Sequence, residues 1–162
     1  YANYCDKLKS RYCQHDYSRL DGSEQLYQEF YKHLDRYEAD DEGTLSVIHG
    51  DPVFTNILVT DDNSLKFIDM RGMMGDTLTI YGDMWYDYAK IYQSLCGYDH
   101  IIYGVKYCDA HNIKSHFEKY VINSYGEPIM KRIKLITKSL LFSLIPLHDA
   151  KQRQFYSLIS KI

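Results

Sequence analysis

Four polar side chains stand at spacings that suit one chemistry. His49 and Asp51 fall in His49-Gly50-Asp51-Pro52, Asn56 follows Asp51 by five residues, and Asp69 closes the next apolar run. One carboxamide and one carboxylate make an incomplete oxygen shell for a hard cation such as Mg²⁺, which keeps waters or phosphate oxygens in its other positions. Asn56 and Asp69 are therefore candidate metal ligands. Asp51, on the loop ahead of them, is left free to meet a substrate hydroxyl.

The elements that must position these groups can be read around them. Ile57-Leu58-Val59-Thr60 and Leu65-Lys66-Phe67-Ile68 flank Asp61-Asp62-Asn63-Ser64, the pattern of a β-hairpin with a polar turn. With Thr60 opposite Leu65, Asn56 falls opposite Asp69, and adjacent strands place both at the open end of the hairpin. Residues 44–48 read as a short strand delivering His49 to the loop. Pro52 biases Asp51 away from helical backbone and stiffens the loop. After Asp69, residues 73–77 read as a loop bordering a substrate pocket, and residues 82–91 open a long helix with Asp83 at the N-cap and Asp87 one turn later.

An Asp, an Asn five residues on, and a hairpin ending in a second Asp form the arrangement of kinase catalytic loops. With His49-Gly50-Asp51 where protein kinases have His-Arg-Asp, the segment resembles the aminoglycoside phosphotransferase and choline kinase family of small-molecule kinases. The resemblance is close over residues 44–92 and loose elsewhere. It implies Asp51 as catalytic base or hydroxyl-orienting residue, Asn56 and Asp69 as Mg²⁺ ligands, His49 as structural support under the metal-binding segment, and Asp87 as support beneath the loop. It also implies ATP as donor and a sugar, aminoglycoside or amino alcohol as acceptor. Met70-Arg71-Gly72 departs from the family pattern. Arg71 either binds a phosphate oxygen, as a guanidinium fork is shaped to do, or pairs with Asp76 or Asp83.

The phosphate-gripping half of such an enzyme is not seen. None of the nine glycines precedes a Lys and no Gly-x-Gly occurs, so neither a Walker loop nor a kinase-type flap is present. The expected fold is thus α+β and mainly helical, the C-terminal lobe of a protein-kinase-like fold with a short β-hairpin carrying the metal site. All 162 residues form one domain, and the N-terminal nucleotide-binding lobe is absent from the chain. The alternative is a non-catalytic kinase-like binding or scaffold module.

Composition narrows the partners. A net charge of −3 without a Lys/Arg block points away from nucleic acid and from anionic membranes. The apolar run at 140–147 is broken by Ser143 and Pro146 and falls far short of a membrane span. Cys5, Cys13, Cys96 and Cys108 contain no Cys-x-x-Cys pair, which suits reduced thiols and a cytoplasmic location. Tyr4, Cys5, Leu8 and Tyr12, then Leu26, Phe30, Leu34 and Tyr37, recur at helical spacing, with a turn and N-cap at Asp21-Gly22-Ser23 between them and an acidic stop at 40–43. Residues 101–105 read as a short strand, and 113–123 and 129–144 as helices. Trp85, Tyr86 and Tyr88 cannot all share one helix face, so an aromatic cage for a quaternary ammonium group is the lesser reading and core packing the greater. His148, between apolar residues, reads as a core or capping residue.

Overall fold

The computed structural model describes residues 3–104 and 111–162. The fold is α+β and mainly helical. Two helices come first, α1 (Tyr4–Gln14) and α2 (Ser23–Ala39). Each buries one stripe set by the helical repeat, Tyr4, Cys5 and Leu8 on α1 and Tyr27, Phe30, Leu34 and Tyr37 on α2. The turn and the N-cap fall at Asp21-Gly22-Ser23, as expected. Gly22, at φ 78°, is the N-cap residue, and the Ser23 hydroxyl donates to the Tyr17 carbonyl at 3.1 Å.

Six short strands follow: β1 (Leu45–Val47), β2 (Ile57–Val59), β3 (Leu65–Phe67), β4 (Met73–Met74), β5 (Thr77–Leu78) and β6 (Tyr81–Asp83). They pair antiparallel as β1–β6, β2–β3 and β4–β5. The β2–β3 register is one residue off the expected one, because Val59 faces Leu65 and the Thr60 N–H donates to the Ser64 carbonyl at 2.9 Å. The turn is therefore Asp61-Asp62-Asn63. Asn63 takes φ 60°, which Asn tolerates better than most residues, and the Asp62 carboxylate draws in the Ser64 N–H and hydroxyl. At the open end the Ile68 N–H donates to the Asn56 carbonyl at 3.0 Å, so Ile68, not Asp69, lies across from Asn56.

Two other segments also differ from the reading. Met73-Met74 and Thr77-Leu78 form a small hairpin around Gly75, rather than a structureless loop. Gly82 and Asp83 belong to β6, whose register sets Leu45 against Asp83.

The helical remainder comprises α3 (Met84–Leu95), α4 (Tyr98–Tyr103), α5 (His111–Tyr125), α6 (Glu127–Leu144) and α7 (Gln152–Ile159). The expected strand at 101–105 is a correction. Ile101 and Ile102 lie on α4, where both pack against the core, so tertiary packing overrides the β-branched preference for a strand. Val105 and Cys108 lie outside the described residues.

The centre of the molecule is α6, in contact with α1, α2, α3, α5 and α7. Ile133, Ile136, Leu141 and Phe142 on it are fully buried. Each such side chain contributes roughly 1.5–3 kcal/mol by leaving water. Phe142 stacks on Tyr17 at 4.7 Å, meets Phe30 edge-on at 5.9 Å, and accepts the Tyr17 hydroxyl at its own carbonyl at 3.0 Å. The strands lie outside this core as three separate two-stranded ribbons, with β1 and β6 resting on α3. Among the described residues no helix is long and apolar enough to cross a membrane.

Candidate active site

The loop between β1 and β2 is held from beneath by α3. The Asp87 carboxylate accepts the His49 N–H at 2.7 Å and the Gly50 N–H at 2.9 Å, one donor on each oxygen. Burial raises the pKa of this carboxyl, while the two amides and His49 pull it down. Two charge-assisted bonds from adjacent amides fix the direction in which the chain enters Asp51. Gly50 makes the turn at φ 82°, and a Cβ built there would stand 2.9 Å from the Arg71 Cβ. Only glycine meets both demands without strain. The Arg71 N–H in turn donates to the His49 carbonyl at 2.9 Å. His49 thus touches both sides of the site. Its Nδ1 accepts the Asp51 N–H at 3.3 Å, and its ring lies 5.7 Å from that of Phe67 on β3.

Asp51 faces a cation. The Lys90 ammonium, on α3 and 6% exposed, stands 2.9 Å from its Oδ1. Burial lowers the pKa of Lys90, but Tyr86 and Asp51 outweigh it, so the net shift is upward and Lys90 stays charged. The Asn56 side-chain amide donates to the Asp51 carbonyl at 2.9 Å, which ties the loop to the start of the hairpin and leaves the carboxamide oxygen for a cation. Asp69 lies one step beyond the rung that joins Asn56 to Ile68 and has φ 61°. A left-handed Asp is uncommon, and it breaks the side-chain alternation that a regular strand would impose. Among the described residues the Asp69 carboxylate has no hydrogen-bond or ion-pair partner.

These two oxygens suit Mg²⁺ by chemistry. One is a carboxylate left unpaired and the other a carboxamide with its nitrogen already committed. Among the described residues no three His, Cys, Asp or Glu side chains gather round one point, so a cation here would take its remaining ligands from water or phosphate.

A cavity of about 750 Å³ opens on the α1 side of the loop, walled in part by Lys7, Gly50, Arg71, Tyr86 and Lys90. At its floor the Tyr86 hydroxyl accepts from Lys7 Nζ at 3.1 Å and from Arg71 Nη1 at 3.2 Å. Lys7, Arg71 and Lys90 all lie within 5.4–5.9 Å of the Tyr86 ring centroid. Burial raises the pKa of this phenol, yet Lys90, Lys7 and Arg71 together bring it down to about 8. Arg71 therefore contacts Tyr86, and among the described residues it makes no ion pair with Asp76 or Asp83. Asp83, 2% exposed, is committed elsewhere, accepting the hydroxyls of Tyr4 at 2.8 Å and Tyr37 at 2.6 Å and the amides of Thr44 at 3.0 Å and Trp85 at 3.2 Å.

The structure brings His49, Asp51, Asn56 and Asp87 into one hydrogen-bonded unit, with Arg71 and Asp69 on its borders. Trp85, Tyr86 and Tyr88 do not box one point: Trp85 meets Tyr88 edge-on at 5.4 Å, whereas Tyr86 stacks on Tyr4 at 6.1 Å. Sequence reasoning missed Lys7, Tyr86 as a polar group, and Lys90. Asp83 at the N-cap of α3, with Asp87 and Lys90 four and seven residues on, forms a polar stripe at helical spacing, a pattern that marks a helix facing a buried polar site. Compared with protein-family models, curated proteins and solved structures, the chain finds no match.

Proposed function

We propose that the chain is the catalytic C-terminal lobe of a small-molecule kinase resembling the aminoglycoside phosphotransferase and choline kinase family, passing the γ-phosphate of ATP to a hydroxyl. The observation that carries this reading is the single hydrogen-bonded unit in which the Asp87 carboxylate anchors the loop and the Asn56 amide joins Asp51 to the hairpin. Phosphoryl transfer asks for positioning and charge neutralisation more than covalent help, and this unit offers a positioned carboxylate tied to the Asn56 carboxamide, with the Asp69 carboxylate on its border. Mg²⁺, held by Asn56 and Asp69, would neutralise phosphate charge. Asp51 orients the acceptor hydroxyl and takes its proton, Lys90 holds the Asp51 carboxylate in place through their ion pair, and Arg71 offers a guanidinium to a phosphate oxygen.

ATP would be gripped mainly by an N-terminal lobe of the same protein. The hairpins support that division, since Leu58, Leu65, Phe67 and Ile68 on and beside β2–β3 are exposed, with Leu65 at 60% and Phe67 at 52%. An apolar face of this kind is what a second lobe would cover. The use of ATP, together with free Cys5, Cys13 and Cys96, fits the cytoplasm.

In a protein carrying both lobes, Asp51→Ala and Asp69→Ala should each abolish ATP-dependent phosphorylation of a hydroxyl acceptor, measured with labelled ATP over a panel of sugars, amino alcohols, and hydroxyl compounds bearing a phosphate or a carboxylate. Full activity in either variant would sink the assignment. The Asp51–Lys90 ion pair favours a second reading, a non-catalytic kinase-like module whose carboxylate is structural. Absence of transfer by the unaltered protein across the panel would support it.

A further inference from the structure

We propose that the cavity beside Asp51 binds an oxyanion of the acceptor, a phosphate monoester or carboxylate on a small hydroxyl compound, through Lys7, Arg71 and the Tyr86 hydroxyl. It rests on the phosphotransferase reading only in calling the ligand an acceptor. The anion site itself stands on the cavity.

The argument begins with unbalanced charge. Lys90 has a carboxylate partner in Asp51, but among the described residues Lys7 and Arg71 have none within 4.0 Å. Both instead donate to one neutral phenol oxygen. Three cations gathered about one ring repel one another, and an anion seated among them would offset that repulsion. The ring is itself buried, 9% exposed, and its oxygen receives two donated bonds while, among the described residues, nothing accepts its own proton. A phosphate or carboxylate oxygen in the cavity would accept that proton and two cationic donors together. Guanidinium and ammonium groups are the usual partners for such an anion.

The carboxylates on the same wall do not cancel this charge. Asp83 is already occupied by four donors, and Asp6 and Asp76 are exposed side chains that pair with none of the three cations. Neither Asn56 nor Asp69 is among the residues that wall the cavity. The cavity does reach the neighbours of Asp51, Gly50 before it in the chain and Lys90 paired with it, so a small acceptor seated there would lie beside that carboxylate. An acceptor held there by its anionic end presents a hydroxyl to Asp51. Polycationic aminoglycosides and choline fit this wall poorly.

Titration calorimetry of the 162-residue chain tests this without nucleotide or Mg²⁺. The probes are inorganic phosphate, glycerol 3-phosphate and glycerate, with glycerol and spermidine as neutral and cationic counterparts. The anions should bind and the counterparts should not, glycerol 3-phosphate against glycerate showing which oxyanion is preferred. Arg71→Gln and Lys7→Gln should each weaken the anions roughly tenfold or more. Should Lys7→Gln fail to fold by circular dichroism, Arg71→Gln decides, because that side chain is exposed. The proposal is overturned if the unaltered chain binds none of the anions, if Arg71→Gln leaves their binding unchanged, or if glycerol or spermidine binds as tightly. None of these results bears on transfer. The phosphotransferase reading fails separately, in the labelled-ATP assay.

Discussion

Tyr86 shows how one residue changes character through its neighbours. Burial alone would hold a phenol protonated, as it does for Tyr17 beneath Phe142. At Tyr86 the ammonium of Lys7 on α1, the guanidinium of Arg71 and the ammonium of Lys90 on α3 reverse that, and Tyr4, stacked on the ring, adds no positive charge. An ultraviolet titration of tyrosinate should show one tyrosine ionising near pH 8, well before the rest, and Arg71→Gln should move that step upward. The sign for stability follows. The folded pKa lies below the unfolded value of about 10, so Tyr86 contributes nothing below about pH 8 and progressively more between there and about pH 10. In the sequence Tyr86 was legible only as an apolar ring, because nothing in the residues around it reveals that Lys7, far away in the chain, will lie against it.

At the scale of elements, the loop before β2 is held by three constraints at once, a left-handed glycine, a close side chain and two amides on one carboxylate. Gly50→Ala must place a Cβ against Arg71 at φ 82° while keeping both amides on Asp87. It should lower unfolding free energy by ~1–3 kcal/mol in a denaturant titration, with little change in slope. Helices such as α2 and α6 were legible, since their apolar residues repeat along the chain and each stripe is set locally. The hairpin was legible in existence but not in register. Its apolar residues are exposed on both faces, so no buried side selects the pairing, and the Asn63 turn decides instead. Strand β6 was hidden because its partner β1 is remote and because Asp83 also reads as the start of a helix, which it is. The α4 segment shows the reverse error, with Ile101 and Ile102 suggesting a strand where a short helix docks on the core.

Over the whole molecule, tyrosine recurs as a strut. Tyr4 and Tyr37 reach Asp83, Tyr17 reaches the Phe142 carbonyl, and Tyr156 reaches the Asp21 carbonyl at 2.6 Å, each joining segments distant in sequence. A ring that packs with a hydroxyl at its tip serves both needs, which gives the abundance of this residue a physical use. The Asp83 carboxylate is where most of these ties converge, since one side chain receives donors from α1, α2, the residue before β1 and the first turn of α3. Opening any one of these segments breaks a bond to a buried charge, so they open together. In amide hydrogen exchange the Thr44 and Trp85 amides should accordingly share one slow, global rate with the buried turns of α3 and α6, and the β2–β3 hairpin should exchange faster. Exchange at Thr44 as fast as in the hairpin would show that the carboxylate does not couple them. The molecule then has two tiers of cooperativity, a slow block centred on Asp83 and a quick outer ribbon whose open end carries both Asn56 and Asp69.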